Sequence, residues 1–261
     1  MGGNLDAALD SRGLESALMP VVPMRVVELW RYPVKSLQGE QLPEAEIGPE
    51  GIAGDRQWAL FDLDTGYGLT ARRVPDLLFA TGRLRPDGGA EVVLPDGTIT
   101  DDDTAISAWL GRRVTLRAAG SAPGRPTYEG PDDDLAPTPA RWHDWQGAPG
   151  AFHDNADGRL SLVTTGTLGE WDRRRFRSNV VLDGAGEGGL IGSRVRLGDA
   201  VLDIGDPIPR CVMVTRPQPG GIARDTSVLK TIHRERGGDL AVAALVHAPG
   251  RVRTGDLLAP A

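Results

Sequence analysis

Glycine and proline recur throughout this chain and limit the length of the regular elements that it can form. The 261 residues include 35 Gly and 20 Pro, and both residue types interrupt helices and strands. Many short elements joined by turns are therefore favoured over long helices, and we expect a mainly β, α+β fold. Hydrophobic residues make up 40% of the chain, which is enough for a core in one large domain or two small ones.

Charge and hydropathy argue against several classes of function. The formal net charge of −7 argues against a general nucleic-acid binder, although it allows a local basic pocket. Residues 1–23 have neither a basic start nor a continuous apolar run, so they are not typical of a signal peptide. No apolar span reaches transmembrane length. We expect a cytoplasmic protein without membrane contact, in which residues 1–23 form a loosely ordered leader.

Hydrophobic patterning divides the rest of the chain into two β-rich parts. Runs of β-branched and aromatic residues between Gly and Pro clusters predict strands in both parts. The predicted strand segments are MRVVELWRYP, GDRQWALFD, GYGLTAR, FATGRLRP, AEVVLP and RRVTLRAA, followed by LSLVTT, SNVVLDG, SRVRLGDAVLDIG, CVMVT and LAVAALVHAPGRVRTGDLL.

Three short helices are predicted from apolar spacing and capping residues. The first begins at Asp103, its expected N-cap, and ends at Gly111. The second lies in TGTLGEWDRRRF, and the third lies in DTSVLKTIHRER with Asp225 as its cap. All three are short, as the glycine and proline content implies.

Residues 120–150 are rich in Pro, Gly and Asp and show no periodicity. We interpret them as a long connection between two domains. Because their length is unusual for a simple connector, a lid over an active site is a second interpretation. The boundary in this segment places an N-terminal domain at residues 24–119 and a C-terminal domain at residues 151–261.

Cys211 is the only cysteine and the most reactive side chain of the chain. A thiolate is a soft metal ligand and a strong nucleophile, so it suits either one soft metal centre or the carriage of one sulfur atom. One cysteine excludes an intrachain disulfide and an all-cysteine zinc or iron–sulfur site. A buried structural role is the commonest alternative for a lone cysteine.

Five segments, taken in order, resemble those of MOSC-domain proteins. They are YPVKS at 32–36, GDRQWALFD at 54–62, RRRFRSNVVLDG at 173–184, IPRCVMVT at 208–215 and VRTGD at 252–256. The chain is similar in particular to the branch that includes the mitochondrial amidoxime-reducing component and the YcbX-type proteins. This resemblance implies an N-terminal β-barrel-like MOSC unit, a β-barrel MOSC domain after it, and a molybdenum cofactor (Mo-molybdopterin).

The resemblance also implies roles for individual residues. Cys211 matches the protein ligand of the molybdenum, and Arg210 precedes it as in several members of the family. Positions that hold the cofactor in the family match Lys35, Ser36, Arg56, Arg177 and Asn179. Asp154 lies where relatives have an acidic or small polar residue beside the metal pocket, and we assign it with Cys211 and Arg210 to catalysis. Thr164 is expected either to donate to the pterin or to pair across strands.

Elementary chemistry favours the same residue types. A pterin phosphate is a compact dianion, and guanidinium groups with a lysine are the side chains that hold such an anion. The alternatives are a polar turn at Lys35 and Ser36, a surface ion pair at Arg56, and a solvated helix face for the arginines at 173–177. The four histidines lack the close spacing of a metal site, so we interpret them as surface or loop residues.

The resemblance implies a molybdenum enzyme that reduces N-hydroxylated compounds, such as hydroxylamines or amidoximes. One cysteine cannot hold a [2Fe–2S] cluster on four thiolates, and the ferredoxin-like unit of YcbX-type proteins is not recognisable in the sequence. We therefore expect a separate electron donor: a ferredoxin, a cytochrome b5-like protein or a flavin reductase.

Two alternatives to the reductase stay open. The first is a sulfur carrier or cofactor-handling module with a persulfide on Cys211, because MOSC units also form the C-terminal part of molybdenum cofactor sulfurases. The N-terminal part of those proteins binds pyridoxal phosphate, and we expect no such binding by this chain alone. The second alternative is a binding module without chemistry.

Overall fold

The computed structural model describes residues 24–121, 124–131, 141–154 and 157–261. The predicted leader at 1–23 therefore lies outside the described residues, as does part of the connection at 120–150. The described residues form mostly strands with three α-helices and four short 3-10 helices, which confirms the mainly β, α+β class. None of the helices in these ranges is both long and apolar enough to cross a membrane.

Strands account for most of the regular structure in the described ranges. They are β1 (Val26–Arg31), β2 (Glu40–Leu42), β3 (Glu44–Gly48), β4 (Gly51–Ile52), β5 (Trp58–Asp62), β6 (Thr81–Leu84), β7 (Ala90–Val93), β8 (Ile99–Thr100), β9 (Val114–Ala118), β10 (Thr127–Pro131), β11 (Trp142–Gln146), β12 (Leu160–Thr164), β13 (Val180–Leu182), β14 (Arg194–Leu197), β15 (Ala200–Pro209), β16 (Asp239–Ala248), β17 (Gly250–Arg253) and β18 (Leu258–Pro260).

The three α-helices in the described ranges are short, with 8, 4 and 10 residues. They are α1 (Asp103–Leu110), α2 (Thr165–Leu168) and α3 (Ser227–Arg236), with 3-10 helices at Pro75–Phe79, Arg173–Arg175, Glu187–Leu190 and Val212–Thr215. The N-cap of α1 is Asp102, one residue before the predicted one, because its carboxylate accepts the N–H groups of Thr104 and Ala105. Gly111 ends α1 in the left-handed conformation, as predicted. The N-cap position of α3 is Thr226, one residue after the predicted Asp225, although the Asp225 carboxylate does accept the N–H of Ser227 at 2.8 Å.

The main sheet has eight strands in the order β18-β14-β15-β16-β12-β13-β1-β2. Its neighbouring strands are antiparallel except for β12 and β13, which run parallel. The smaller sheets are β17-β3-β4, β5-β9, β6-β7-β8 and β10-β11. Within the described residues no sheet closes on itself, so the strands expected to form barrels make open sheets here.

The two predicted domains share sheets and a core. Strand β1 pairs with β13, and β3 pairs with β17, although the partners of each pair belong to different predicted domains. The largest hydrophobic cluster accordingly joins Leu29 and Ile47 to Leu162, Leu202 and Val252. A second cluster is built almost entirely by residues 34–114, with Met213 packed against it from the C-terminal part.

The connection at 120–150 contains regular structure that the sequence did not predict. Strands β10 and β11 form an antiparallel hairpin in which Tyr128 faces Trp145, with ring centroids 4.7 Å apart. Gly68 bridges to Tyr128, and this contact docks the hairpin onto the first half of the chain. The prediction of an irregular segment is therefore wrong for these two strands.

Two strand predictions are also wrong. CVMVT forms a 3-10 helix rather than a strand, with Cys211 at its N-cap position. The helix follows Pro209, where β15 ends, and the hydroxyl of Thr215 donates to the carbonyl of Val212 at 2.8 Å. GYGLTAR makes only isolated bridges at Gly68. Cys211 thus begins a loop at the end of a strand.

Candidate functional site

Left-handed backbone conformations mark three of the predicted cofactor-binding residues. Among the described residues, the non-glycine positions with positive φ are Ser36 (69°), Arg56 (51°), Arg177 (55°) and Ala241 (72°). Such conformations are uncommon for residues with a Cβ and are retained where the surrounding structure imposes them, which is frequent at functional sites. The residues come from three loops that are distant in sequence, so the strained positions point to one shared site.

A buried tyrosine supports two of these residues. The guanidinium carbons of Arg56 and Arg177 lie 5.2 and 4.6 Å from the centroid of the Tyr32 ring. The N–H of Tyr32 donates to the Asp55 carboxylate at 2.7 Å, and its hydroxyl donates to the carbonyl of Ser178 at 3.4 Å. Burial raises the pKa of Tyr32 to about 12 although the nearby arginines oppose it, so the phenol stays neutral under the two cations.

Arg56 joins the first half of the chain to the second. Its guanidinium pairs with the fully buried carboxylate of Asp55 and also donates to the carbonyl of Arg177 at 3.4 Å and to Oδ1 of Asn179 at 3.5 Å. Burial alone would lower the pKa of Arg56, but the Asp55 carboxylate more than offsets it and the pKa is raised. Asn179 is 1% exposed and is fixed further by Ser161, whose N–H and hydroxyl donate to its Oδ1 at 3.2 Å.

Arg177 is buried with few carboxylates around it. Its guanidinium donates to the carbonyl of Leu37, and its side chain is 7% exposed. Burial lowers its pKa to about 10, and the positive charge of Arg56 acts in the same direction. Arg177 therefore remains charged at neutral pH in a region that already holds another cation.

Lys35 is enclosed by an ion pair and two aromatic rings. Its ammonium donates to the carbonyl of Phe152 at 3.0 Å and pairs with the carboxylate of Asp154. It lies 4.8 Å from the ring centroid of Tyr128 and 5.8 Å from that of Trp145, so the hairpin β10–β11 covers it. Burial lowers the pKa of Lys35, and Asp154 offsets part of that effect.

Asp154 is the solvent-facing member of this pair, with a side chain 78% exposed. Partial desolvation would raise its pKa, but the ammonium of Lys35 outweighs it and lowers the pKa to about 2. The pair thus connects a buried cation to the protein surface.

Arg210, which precedes Cys211, connects the cysteine loop to the segment that carries Arg177. Its guanidinium donates to the carbonyls of Leu240 at 2.8 Å and Phe176 at 3.0 Å. Phe176 directly precedes Arg177 in the chain. Burial lowers the pKa of Arg210 to about 10, with Cys211 acting to raise it and Arg56 to lower it further. Nη2 of Arg210 is buried and has no hydrogen-bond partner among the described residues.

Two predicted residues have other surroundings. The hydroxyl of Ser36, which follows Lys35, accepts the N–H of Ala71 at 3.1 Å. Thr164 lies at the far end of β12 from Ser161, and its hydroxyl donates to the buried carboxylate of Glu187 at 2.6 Å. The structure therefore does not bring the Thr164 side chain together with the cationic residues, and its role at the pterin stays a prediction.

Sequence reasoning missed several side chains of the site. His153 is 6% exposed rather than at the surface. The ring of Tyr32 lies against the two arginines Arg56 and Arg177, and Asp55 pairs with Arg56. Tyr128 and Trp145 reach Lys35 from the hairpin. Tyr32 and Asp55 lie within the segments YPVKS and GDRQWALFD, which could have pointed to them. His153, Tyr128 and Trp145 act through contacts with segments distant in the chain, so no local motif could have located them.

A groove of about 630 Å³ in the described residues lies elsewhere. It runs between Trp30 and Phe79 on one side and Trp171, Arg173 and Arg174 on the other, and none of the predicted site residues lines it. Within the described ranges, no three His, Cys, Asp or Glu side chains lie close enough together to hold a metal ion. Of the predicted site residues, Arg56 and Arg177 lie against Tyr32, and Lys35 is near enough to feel the charge of both.

Comparison with known proteins identifies both halves of the chain. Residues 23–119 match the MOSC N-terminal beta barrel domain, and residues 154–259 match the MOSC domain. A molybdenum cofactor sulfurase of Drosophila grimshawi is 28% identical over 242 residues, which cover 83% of this chain and 31% of that protein. A molybdenum cofactor sulfurase of Chaetomium globosum is 34% identical over 99 residues, 33% of this chain and 13% of that protein.

This chain therefore spans less than a third of the length of either relative. Among solved structures, the YUAD protein from Bacillus subtilis overlaps 90% of this chain and 94% of its own, with 15% identity and a TM-score of 0.43. YiiM from Geobacillus stearothermophilus overlaps 46% of this chain and 67% of its own, with 14% identity and a TM-score of 0.33. Because the two domain matches together take in most of the chain, it belongs to the MOSC-domain proteins that carry an N-terminal MOSC barrel domain.

Proposed function

We propose that this protein binds a molybdenum cofactor in the cluster around Tyr32 and, with it, reduces N-hydroxylated compounds. The domain matches and the names of the curated relatives support a role connected with that cofactor. The observation that carries the proposal is the convergence of three buried cations: Arg56 and Arg177, both in left-handed conformations, lie against the ring of Tyr32, and Lys35 is near enough to feel the charge of both.

The charge of the site fits an anionic group. We define the basic cluster as Lys35, Asp55, Arg56, Asp154, Arg177 and Arg210. Four cations against two carboxylates leave a formal excess of two positive charges in a largely buried region. Unbalanced buried charge is unfavourable, and a phosphate dianion would balance it. The buried Nη2 of Arg210, which lacks a partner among the described residues, is a donor suited to such a group.

Different residues then hold different parts of the cofactor. Arg56, Arg177 and Lys35 hold the phosphate. Asn179, whose Oδ1 accepts the Arg56 guanidinium and whose Nδ2 donates to the carbonyl of Trp30 at 3.2 Å, orients Arg56, and its contact with the pterin stays a prediction. Cys211, which is half-buried at the start of its loop, is the protein ligand of the metal. When bound, the cofactor supplies a metal centre that undergoes a two-electron redox change and accepts an oxygen atom.

The reaction consumes two electrons and two protons for each N–O bond. A hydroxylamine R–NHOH gives R–NH2 and water, and an amidoxime gives the amidine and water. The electrons come from a separate donor protein, for which a ferredoxin, a cytochrome b5-like protein and a flavin reductase are the candidates. Asp154, which links Lys35 to solvent, is the residue we propose at the catalytic edge of the site.

Metal analysis tests the cofactor assignment. Protein made in a host that synthesises the cofactor should contain about one molybdenum per chain, as a single ligand thiolate implies. Cys211→Ser should abolish reduction of benzamidoxime by a chemical reductant. His143 is exposed, so His143→Gln is the matched control, and this variant should keep both the bound molybdenum and the activity. Absence of molybdenum from the wild-type protein would contradict the assignment, and stoichiometric molybdenum without turnover would contradict the reductase.

A sulfur-carrier function is the second candidate, favoured by the similarity to proteins named molybdenum cofactor sulfurase. In that case Cys211 bears a persulfide, and the basic cluster binds only transiently the cofactor that receives the sulfur. Cyanide-labile sulfur on the wild-type protein, absent from Cys211→Ser and accompanied by no bound molybdenum, would favour this function over the reductase.

A further inference from the structure

The segment from Phe152 to Asp154 is hydrogen-bonded to Lys35 and Arg56, two cationic residues of the basic cluster. The N–H of Phe152 donates to the backbone carbonyl of Arg56 at 2.7 Å, and its carbonyl accepts the ammonium of Lys35 at 3.0 Å. Asp154 pairs with the same ammonium. His153 lies between these two anchored residues, so its position is fixed by the groups that would hold an anion.

The imidazole of His153 has an unused hydrogen-bonding atom. The side chain is 6% exposed, and its Nε2 has no hydrogen-bond partner among the residues that the structure describes. Buried polar atoms nearly always have a partner, so an orphan in a site of this kind calls for a ligand or a water. The neighbouring charged groups are Arg56, Asp55, Arg159 and Lys35, which makes the surroundings predominantly cationic.

These surroundings determine the form of the imidazole. Burial, with Arg56 acting in the same direction, lowers the pKa of His153 to about 4, so the ring is neutral at neutral pH. A neutral imidazole carries one N–H, and the tautomer with the proton on Nε2 donates a single hydrogen bond without adding a further positive charge.

We propose that His153 is a further ligand-binding residue of this protein, whose Nε2–H donates to an oxygen of the phosphate monoester held by Lys35 and Arg56. The identification of that phosphate with the cofactor rests on the proposed function. The contact itself rests on the buried orphan nitrogen and on the two anchors beside it. His153 thereby adds a donor that selects for an anionic oxygen.

Two replacements test the contact. His153→Gln keeps an N–H donor at about the reach of Nε2, whereas His153→Leu keeps apolar bulk and removes the donor. Pterin content per chain, measured from the fluorescence of the oxidised pterin released by denaturation, should fall about tenfold in His153→Leu, which is the range for losing one hydrogen bond to a charged group. His153→Gln should retain most of it. His143→Leu, on the exposed face of β11, is the control.

The inference is overturned if His153→Leu keeps the wild-type pterin content, or if His153→Gln is folded and as depleted as His153→Leu. A measurement on the wild-type chain does not depend on folding of a variant. In cofactor-free protein with 15N-labelled histidine, inorganic phosphate should shift the ring resonance of His153, assigned from its loss in His153→Gln, and leave those of His143 and His233 in place. An unmoved His153 resonance while phosphate binds by calorimetry also overturns it.

These outcomes separate the inference from the proposed function. Wild-type protein that loads no molybdenum but shows the phosphate-dependent shift of His153 refutes the function and supports the contact. Wild-type protein with full cofactor and an unimpaired His153→Leu variant supports the function and refutes the contact.

Discussion

Individual residues of the site behave differently from the average expected of their types. Asp55 is fully buried and Arg56 only 18% exposed, so the alternative of a surface ion pair at this position is wrong. The arginine run is not a uniform solvated face either, since Arg175 and Arg177 are buried. A single sequence indicates which residues could bind an anion, but the left-handed backbone that aims Arg56 and Arg177 is imposed by distant contacts and has no local signature.

His153 makes the stability of the protein depend on pH. The unfolded chain binds a proton on this residue below pH 6.5, whereas the folded chain does so only below about 4. The contribution of the neutral, buried imidazole to the free energy of unfolding is therefore fully present above pH 6.5. It falls by roughly 3 kcal/mol as the pH drops from 6.5 to about 4. Urea unfolding at intervals between pH 4 and 7.5 should show this slope in the wild type and lose most of it in His153→Gln.

A matched control separates this effect from general acid unfolding. His143 is exposed on β11, so His143→Gln should leave the pH profile as it is in the wild type. Equal slopes for wild type and His153→Gln would show that the imidazole of His153 is hydrated in the folded protein, contrary to its burial here.

At the scale of elements, the hairpin β10–β11 was the least predictable part of the fold. The first strand contains Gly130 and ends at Pro131, and the segment as a whole lacks alternation, so its composition is typical of a loop. The hairpin is held by packing instead: Tyr128 is fully buried, and a Cβ added to Gly68 or Gly147 would meet its ring at 2.3 or 2.6 Å. Such tertiary packing is invisible to local patterns. Strand β5, a short apolar run, and helix α3, with its apolar stripe of Val228, Leu229 and Ile232, were predicted correctly.

Gly68→Ala should loosen the hairpin. The added methyl group would lie 2.3 Å from Cε1 of Tyr128, and overpacking of this kind costs about 1–3 kcal/mol. We expect a lower free energy of unfolding in urea and faster proteolytic cleavage within residues 124–146. Gly48→Ala, whose Cβ would meet nothing within 4 Å, is the control and should match the wild type. Unchanged stability of Gly68→Ala would mean that the Tyr128 ring moves freely.

At the scale of the whole molecule, the two halves of the chain are joined through the site. Strands β1 and β3 from the first half complete sheets of the second, and the loop after Cys211 packs against the first half through Met213. The sequence indicated two family domains in the right order, but it could not indicate that they share a core, because the pairing partners are more than a hundred residues apart. The basic cluster therefore forms only when both halves are folded together.

A buried pair of glutamines tests this coupling. Nε2 of Gln38 donates to Oε1 of Gln218 at 2.7 Å and to the carbonyl of Leu78 at 3.0 Å. The glutamines are 8% and 3% exposed. Gln38→Leu leaves the Gln218 oxygen without this donor, and the loss of one buried partner costs about 1–3 kcal/mol. Replacing both residues by Leu removes the unmatched group, so the double variant should recover part of the stability lost by the single variants.

The double-mutant cycle measures this coupling directly. Urea unfolding of Gln38→Leu, Gln218→Leu and the double variant should give a coupling energy of about 0.5–3 kcal/mol, as expected for residues in contact. A second cycle on the exposed ion pair of Arg85 and Asp101 should give less than about 1 kcal/mol. Because Gln218 follows Cys211 in the same loop, Gln38→Leu should also speed the reaction of the Cys211 thiol with a disulfide reagent. Additive single effects and an unchanged thiol rate would show that the cysteine loop is held independently of the first half of the chain.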